Sequence, residues 1–395
     1  MSSRFDVNFF DPDVIVDPYP LYEEIRATGR VVWNDVIQMW MTPGFDDCKY
    51  VLSNPTLFSN ALYRDPEKVW WFEARNMVQS DPPEHQRLRG PLAPMFTRSA
   101  VAKYEARARE VVDELLAPLE SGAGEFDVIR DFTMIPTIIL AEMIGVPPSR
   151  REDFRRWSAT IAGSLAYGME TEDEKGAMLR ASDELRDYMI EELERHRRER
   201  PDDLLTAMLD LPPEANMSEA EIRSTVSVLL LAGYDTTAKL MSNCLVVLER
   251  HPDQRRLVAD DLSQVPAMIE EVLRWWGVLH GVNRTAEEDT ELAGQPIGEG
   301  ELVCTLPAAA NRDPERWHDP LTFDVRRAAK SHMGFGQGIH LCIGAALARL
   351  EVKVAMERFL QLAPNYSLAE IDYGNAWFIR GPRQGKVQIP EPASA

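Results

Sequence analysis

Cysteine is scarce in this chain: four in 395 residues (Cys48, Cys244, Cys304, Cys342), widely spaced and without a CxxC pair. That spacing excludes a disulfide framework and a zinc-finger type of site, and it suits a reducing compartment. Positive charge is also in deficit, with 43 Lys and Arg against 64 Asp and Glu and a net charge of −21. An acidic body argues against nucleic acid or an anionic membrane as the main partner. No run of about 18 apolar residues is present, so no membrane span is expected. The N-terminus MSSRFDVNFFDPD has no basic segment followed by an apolar one, so no signal peptide is expected. A cytoplasmic protein follows as the expectation.

With 45% hydrophobic residues the chain can bury a large core, and residues 1–395 are expected to form a single domain. The pattern is mostly helical, with short strands near residues 31–41 and 289–303 and in the tail. The longest helical pattern is 218–250, opened by Ser218 and Glu221 at capping-box spacing. At 1.5 Å per residue it is expected to cross the whole domain. Within it lies Ala232-Gly-Tyr-Asp-Thr-Thr237, where the Thr236 hydroxyl is placed to bond the carbonyl of Ala232. Asp81-Pro-Pro-Glu84 reads as a helix start capped by Asp81, carrying His85 and Arg89 on one face. A second i, i+3 pair, Glu271 and Arg274, sits on a helix over 262–276.

The stretch Gly334-Phe-Gly-Gln-Gly-Ile-His-Leu-Cys-Ile-Gly344 has the strongest chemical content. Its glycines let the backbone approach a flat ligand closely and adopt left-handed angles. Cys342 then sits just ahead of a helix N-terminus carrying roughly +0.5 of a charge, which favours thiolate over thiol. This stretch resembles the haem-binding loop of the cytochrome P-450 family. Four further elements resemble that family in the same order: His85 with Arg89, Asp235 with Thr236, Glu271 with Arg274, and Arg284. The segment after Arg274, W-W-G-V-L-H-G, departs from it in lacking a proline.

The resemblance implies a mainly α fold with small β-sheets, haem b lying between the long helix and the loop and helix 334–362. It implies Cys342 as axial ligand of the iron, with His85, Arg89, Arg284 and His340 on the propionates. Asp235 and Thr236 would deliver protons, and Arg327 would join a buried Glu271–Arg274 pair. The implied reaction is oxidation of a hydrophobic small molecule by O2, with electrons from an external ferredoxin and its reductase. Arg98, Arg107, Arg349 and Lys353 are the expected basic docking patch. Candidate pocket walls are Trp70, Trp71, Leu165, Val228, Leu231, Ala232, Leu279, His280, Trp377 and Phe378. Two rival readings share the haem-thiolate centre: a peroxide-using enzyme or isomerase, and a non-catalytic ligand carrier or sensor.

Overall fold

The computed structural model describes residues 4–60, 72–120, 126–163, 171–327 and 329–389. Helices dominate. The longest, Glu219–Arg250, is capped by Ser218, whose hydroxyl accepts from the Glu221 amide while Glu221 reaches back to the Ser218 amide. Its C-terminal half is buried almost all round, because other helices wrap it. Against it pack Met134–Ile144, which is apolar apart from Thr137 and Glu142, Arg151–Gly163, Val265–Trp275 and Ala345–Leu362. Among the described residues no helix is long and apolar enough to cross a membrane.

Beside this bundle lies a six-stranded sheet, in the order Arg4–Phe5, Val32–Asn34, Met39–Thr42, Leu302–Thr305, Val282–Ala286 and Phe58–Ser59. The segment expected as one strand over 31–41 is instead a hairpin, Val32 opposite Met41, turned through Gln38 at φ 54°. A three-stranded sheet joins Ser367–Asp372, Gln384–Gln388 and Phe126–Asp127. The sheets carry segment 278–284 to the same level as the middle of the long helix, and so close one side of the central cavity.

Asp81 does not cap the following helix. That helix is Glu84–Arg89, without a side-chain cap, and the Asp81 carboxylate accepts from the backbone amide of Asn60 at 3.1 and 3.2 Å.

Candidate active site

The glycine-rich loop owes its path to two left-handed turns and two close fits. Gly336 and Gly338 have φ of 76° and 73°, which only glycine adopts without strain, and a Cβ at Gly338 would lie 2.1 Å from the Leu52 carbonyl. Gly334 passes so close to the end of the Val265–Trp275 helix that a Cβ would meet the Leu273 carbonyl at 2.9 Å. The loop then closes on itself, the Cys342 amide donating to the Phe335 carbonyl at 2.9 Å.

What anchors this loop is the Glu271–Arg274 pair, fully buried as expected. Arg274 donates through Nε and Nη2 to the two carboxylate oxygens at 2.8 and 2.7 Å, and its remaining donors go to the carbonyls of Asn311, Pro320 and Thr322. Arg327 adds a bond to Glu271 at 3.1 Å, so the expected third basic group is in place. Asn311 carries the order onward, its side-chain oxygen accepting from the Met333 amide at 2.7 Å, immediately before the loop.

Between the loop and the long helix lies a cavity of about 390 Å³. Cys342 opens into it, whereas Cys48, Cys244 and Cys304 are fully buried elsewhere. Facing the loop across it are Ala232, Gly233, Thr236 and Thr237. The Thr236 hydroxyl donates to the Ala232 carbonyl at 2.6 Å, as the sequence predicts. Burial raises the pKa of the Cys342 thiol, against the Gly344 backbone amide and the charges of Arg89 and Arg349.

At one rim four basic groups converge. Arg89, Arg284 and His340 line the cavity, and the His85 ring lies behind His340 with centroids 4.4 Å apart. Burial and the neighbours Arg284, His85 and Arg89 hold His340 down to about 3, and burial together with Arg89 lowers His85. Both ring nitrogens of buried His85 lack a partner. An unpartnered buried imidazole beside two guanidiniums suits a bound anion, which one ring N–H and the guanidiniums would meet. Replacing His85 with alanine is expected to speed haem loss to a scavenger protein roughly tenfold, the value of one charge-assisted bond; unchanged loss would detach His85 from the ligand.

Asn60, not singled out from sequence, also belongs here. Its Nδ2 lies 2.6 Å from His340 Nε2, so that nitrogen accepts and Nδ1 carries the proton. Glu351 was missed as well. One turn and a half into the Ala345–Leu362 helix, it lines the cavity with one oxygen buried and unpartnered, and burial pushes its pKa up to about 8.

Of the expected pocket walls, Val228, Ala232 and Leu279 face the cavity. Leu231 does not: it packs on the surrounding core. His280 is turned away. Its Nδ1 accepts from the Tyr22 hydroxyl at 2.7 Å and its Nε2 donates to Gly277 O at 3.0 Å; burial holds it neutral. Trp377 joins the same knot, donating to Tyr22 at 2.8 Å and lying 4.3 Å from the Phe9 ring. Phe378 packs under Gly281, and the side chain presented inward is Ile379, bridged to Leu279. Asp235 is not a lining residue; its carboxylate pairs with Lys239 at 2.5 Å. Trp70, Trp71 and Leu165 lie outside the described residues.

A cysteine open to a cavity, faced by Thr236 and rimmed by basic groups, fits a haem held through sulfur and propionates. A sequence profile described as Cytochrome P450 matches residues 167–369. The chain is 33% identical to cytochrome P450 107B1 of Saccharopolyspora erythraea, over 98% of this chain and 97% of that one. The chain belongs to the cytochrome P450 family. It is 34% identical to 6-deoxyerythronolide B hydroxylase of the same organism, over 89% and 90% of the two chains. The structure of cytochrome P450 CYP109Q5 from Chondromyces apiculatus superposes with a TM-score of 0.88, at 33% identity and full coverage of both chains. As a P450 monooxygenase the chain uses haem b, a substrate, O2 and a redox partner.

The expected docking patch is largely neutralised. Arg107 pairs with Glu110 and Glu142, Arg349 with Glu270, and Lys353 with Glu105 and Glu357. Only Arg98 of the four lacks an ion pair among the described residues.

Proposed function

We propose that residues 1–395 form a single haem domain that oxidises a neutral, hydrophobic small molecule, with Cys342 as the residue that would hold the haem iron. The observation carrying this is the exposure of Cys342 alone among the four cysteines to a cavity whose opposite wall holds Thr236. Haem supplies activation of dioxygen at an iron made electron-rich by thiolate. The chain's own part is to bind, orient and deliver protons. The Gly344 amide donates to the sulfur and tempers its charge. His85, Arg89, Arg284 and His340 would hold the propionates of the haem.

Thr236 offers a hydroxyl at the cavity wall, and Asp235, one residue before it, is the acid that replenishes its proton from the protein side. Val228, Leu229, Leu279 and Ile379 exclude water and favour an apolar ligand. The arrangement of acid and hydroxyl favours O2 over peroxide as the oxidant, because an oxidant already reduced has less need of proton delivery. Electrons come from a ferredoxin and its reductase, as the resemblance implies. Glu271, Arg274 and Arg327 serve structure rather than chemistry.

Serine at Cys342 tests the assignment. The reduced, carbon-monoxide-treated variant is expected to lose the absorption band of sulfur-ligated haem, together with oxygenation. Retention of both would overturn it.

A further inference from the structure

The segment Trp275-Trp-Gly-Val-Leu-His-Gly281 leaves its helix without a proline to set its direction. A buried chain of hydrogen bonds holds it instead. Trp377 Nε1 donates to the Tyr22 hydroxyl at 2.8 Å, Tyr22 donates to His280 Nδ1 at 2.7 Å, and His280 Nε2 donates to the Gly277 carbonyl at 3.0 Å. An indole nitrogen can only donate and a carbonyl can only accept, so the chain runs in one direction and fixes the His280 tautomer. Tyr22, His280 and Trp377 are each fully buried, and every polar atom of the three side chains has a partner. A buried network satisfied in this way holds a single arrangement. Gly277 adds a tight passage, since a Cβ there would lie 2.5 Å from the Leu273 carbonyl.

Leu279, one residue before His280, faces the cavity and bridges to Ile379, which faces it too. The flanking bonds His280 N to Phe378 O at 2.9 Å and Arg380 N to Val278 O at 2.7 Å set this register. Arg380 is fully buried and anchored on the outer side, its Nε and Nη2 donating to the carbonyls of Ile15 and Val16, each at 2.6 Å. His280 and Arg380 thus tie the back of the wall to the N-terminal segment 15–22. Side chains alternate between the two faces of paired strands, so a slip of one residue would turn His280 inward and Leu279 outward. Leu279 and Ile379 offer a ligand no directional bond. The orientation of an apolar ligand therefore depends on where these two side chains stand.

We propose that Tyr22 is a positioning residue that sets, through His280, where Leu279 and Ile379 stand, and so selects which carbon of an apolar substrate is oxidised. This rests on the reading of the cavity given above as an apolar substrate site. Tyr22 does not line that cavity; it acts from the helix Tyr19–Thr28 on the far side of the wall. A misplacement of about 1 Å in a reacting group can change its rate about a hundredfold, so a small loosening of the wall is enough to redistribute products.

The test uses the haem-loaded full chain and two isomeric probes, 1-phenylimidazole and 4-phenylimidazole, whose binding to the iron is followed by the Soret shift. Their phenyl rings project in different directions, so the ratio of their dissociation constants measures how firmly the wall discriminates shape. In Tyr22→Phe that ratio is expected to move toward one by about threefold, the value of one modest neutral hydrogen bond. His280→Leu should do the same. His280→Asn, which keeps an oxygen to accept from Tyr22, should hold the wild-type ratio, and the two His280 variants decide the matter if Tyr22→Phe does not fold. A ratio unchanged in Tyr22→Phe and His280→Leu, or a wild-type ratio already near one, overturns the assignment and leaves the substrate cavity standing. A shift in His280→Asn equal to that in His280→Leu also overturns it, since lost packing would then explain both. If neither isomer shifts the wild-type spectrum, the cavity does not lie over the iron, and the reading of the site falls together with the assignment.

Discussion

Alanine at Arg274 is expected to destabilise the chain by about 3–5 kcal/mol, the cost of leaving a buried carboxylate without its partner. Glu271 and Arg274 are both fully buried, so neither can recover water when the other is removed. Three carbonyls, of Asn311, Pro320 and Thr322, would lose a donor at the same time. Arg327 would not rescue the site: its bond to Glu271 is single and longer, at 3.1 Å, and its other donors are committed to His318, Asp319 and Thr322. Denaturant midpoints give the measurement. The double variant Glu271→Leu with Arg274→Met should be milder than Arg274→Ala alone, because no orphaned charge remains. If the double variant is the worse of the two, the pair contributes net attraction beyond its own desolvation.

Glutamine at Glu351 is expected to remove a pH dependence of stability. The folded carboxyl titrates at about 8, against 4.5 for an unperturbed glutamate. Between those values the folded chain holds a proton that the unfolded chain has released. Stability therefore falls as pH rises from about 4.5 through 8, by on the order of 5 kcal/mol in all. Wild type and Glu351→Gln should unfold alike at pH 5, and the glutamine form should be the more stable at pH 9. Parallel curves across that range would mean that Glu351 finds a partner its orphaned oxygen does not have here.

Local signals in the sequence were sufficient for the features that depend on near neighbours. The Ser218–Glu221 box, the Thr236 bond to Ala232 and the turns at Gly336 and Gly338 are each set within a few residues. Arg327 could be joined to Glu271 only through the family resemblance, since 56 positions separate them. Asn60, Asn311, Lys239 and Glu351 were not legible, because each acts through partners or surroundings that only the fold assembles. His280, Trp377 and Phe378 were assigned to the wrong face for the same reason. An aromatic run suggests an apolar wall, but the register of 378–380 against 278–280 decides which side chains point inward, and Tyr22 draws His280 and Trp377 the other way.

The carboxylate clasps on Arg107, Arg349 and Lys353 have a consequence for how electrons arrive. With those cations answered at home, an approaching donor feels little long-range pull toward the groove behind the cysteine loop. Fit must then do the selecting, through contours such as the bare Leu341 side chain that lines that groove. The expected consequence is turnover that changes little with ionic strength, whichever carrier supplies the electrons.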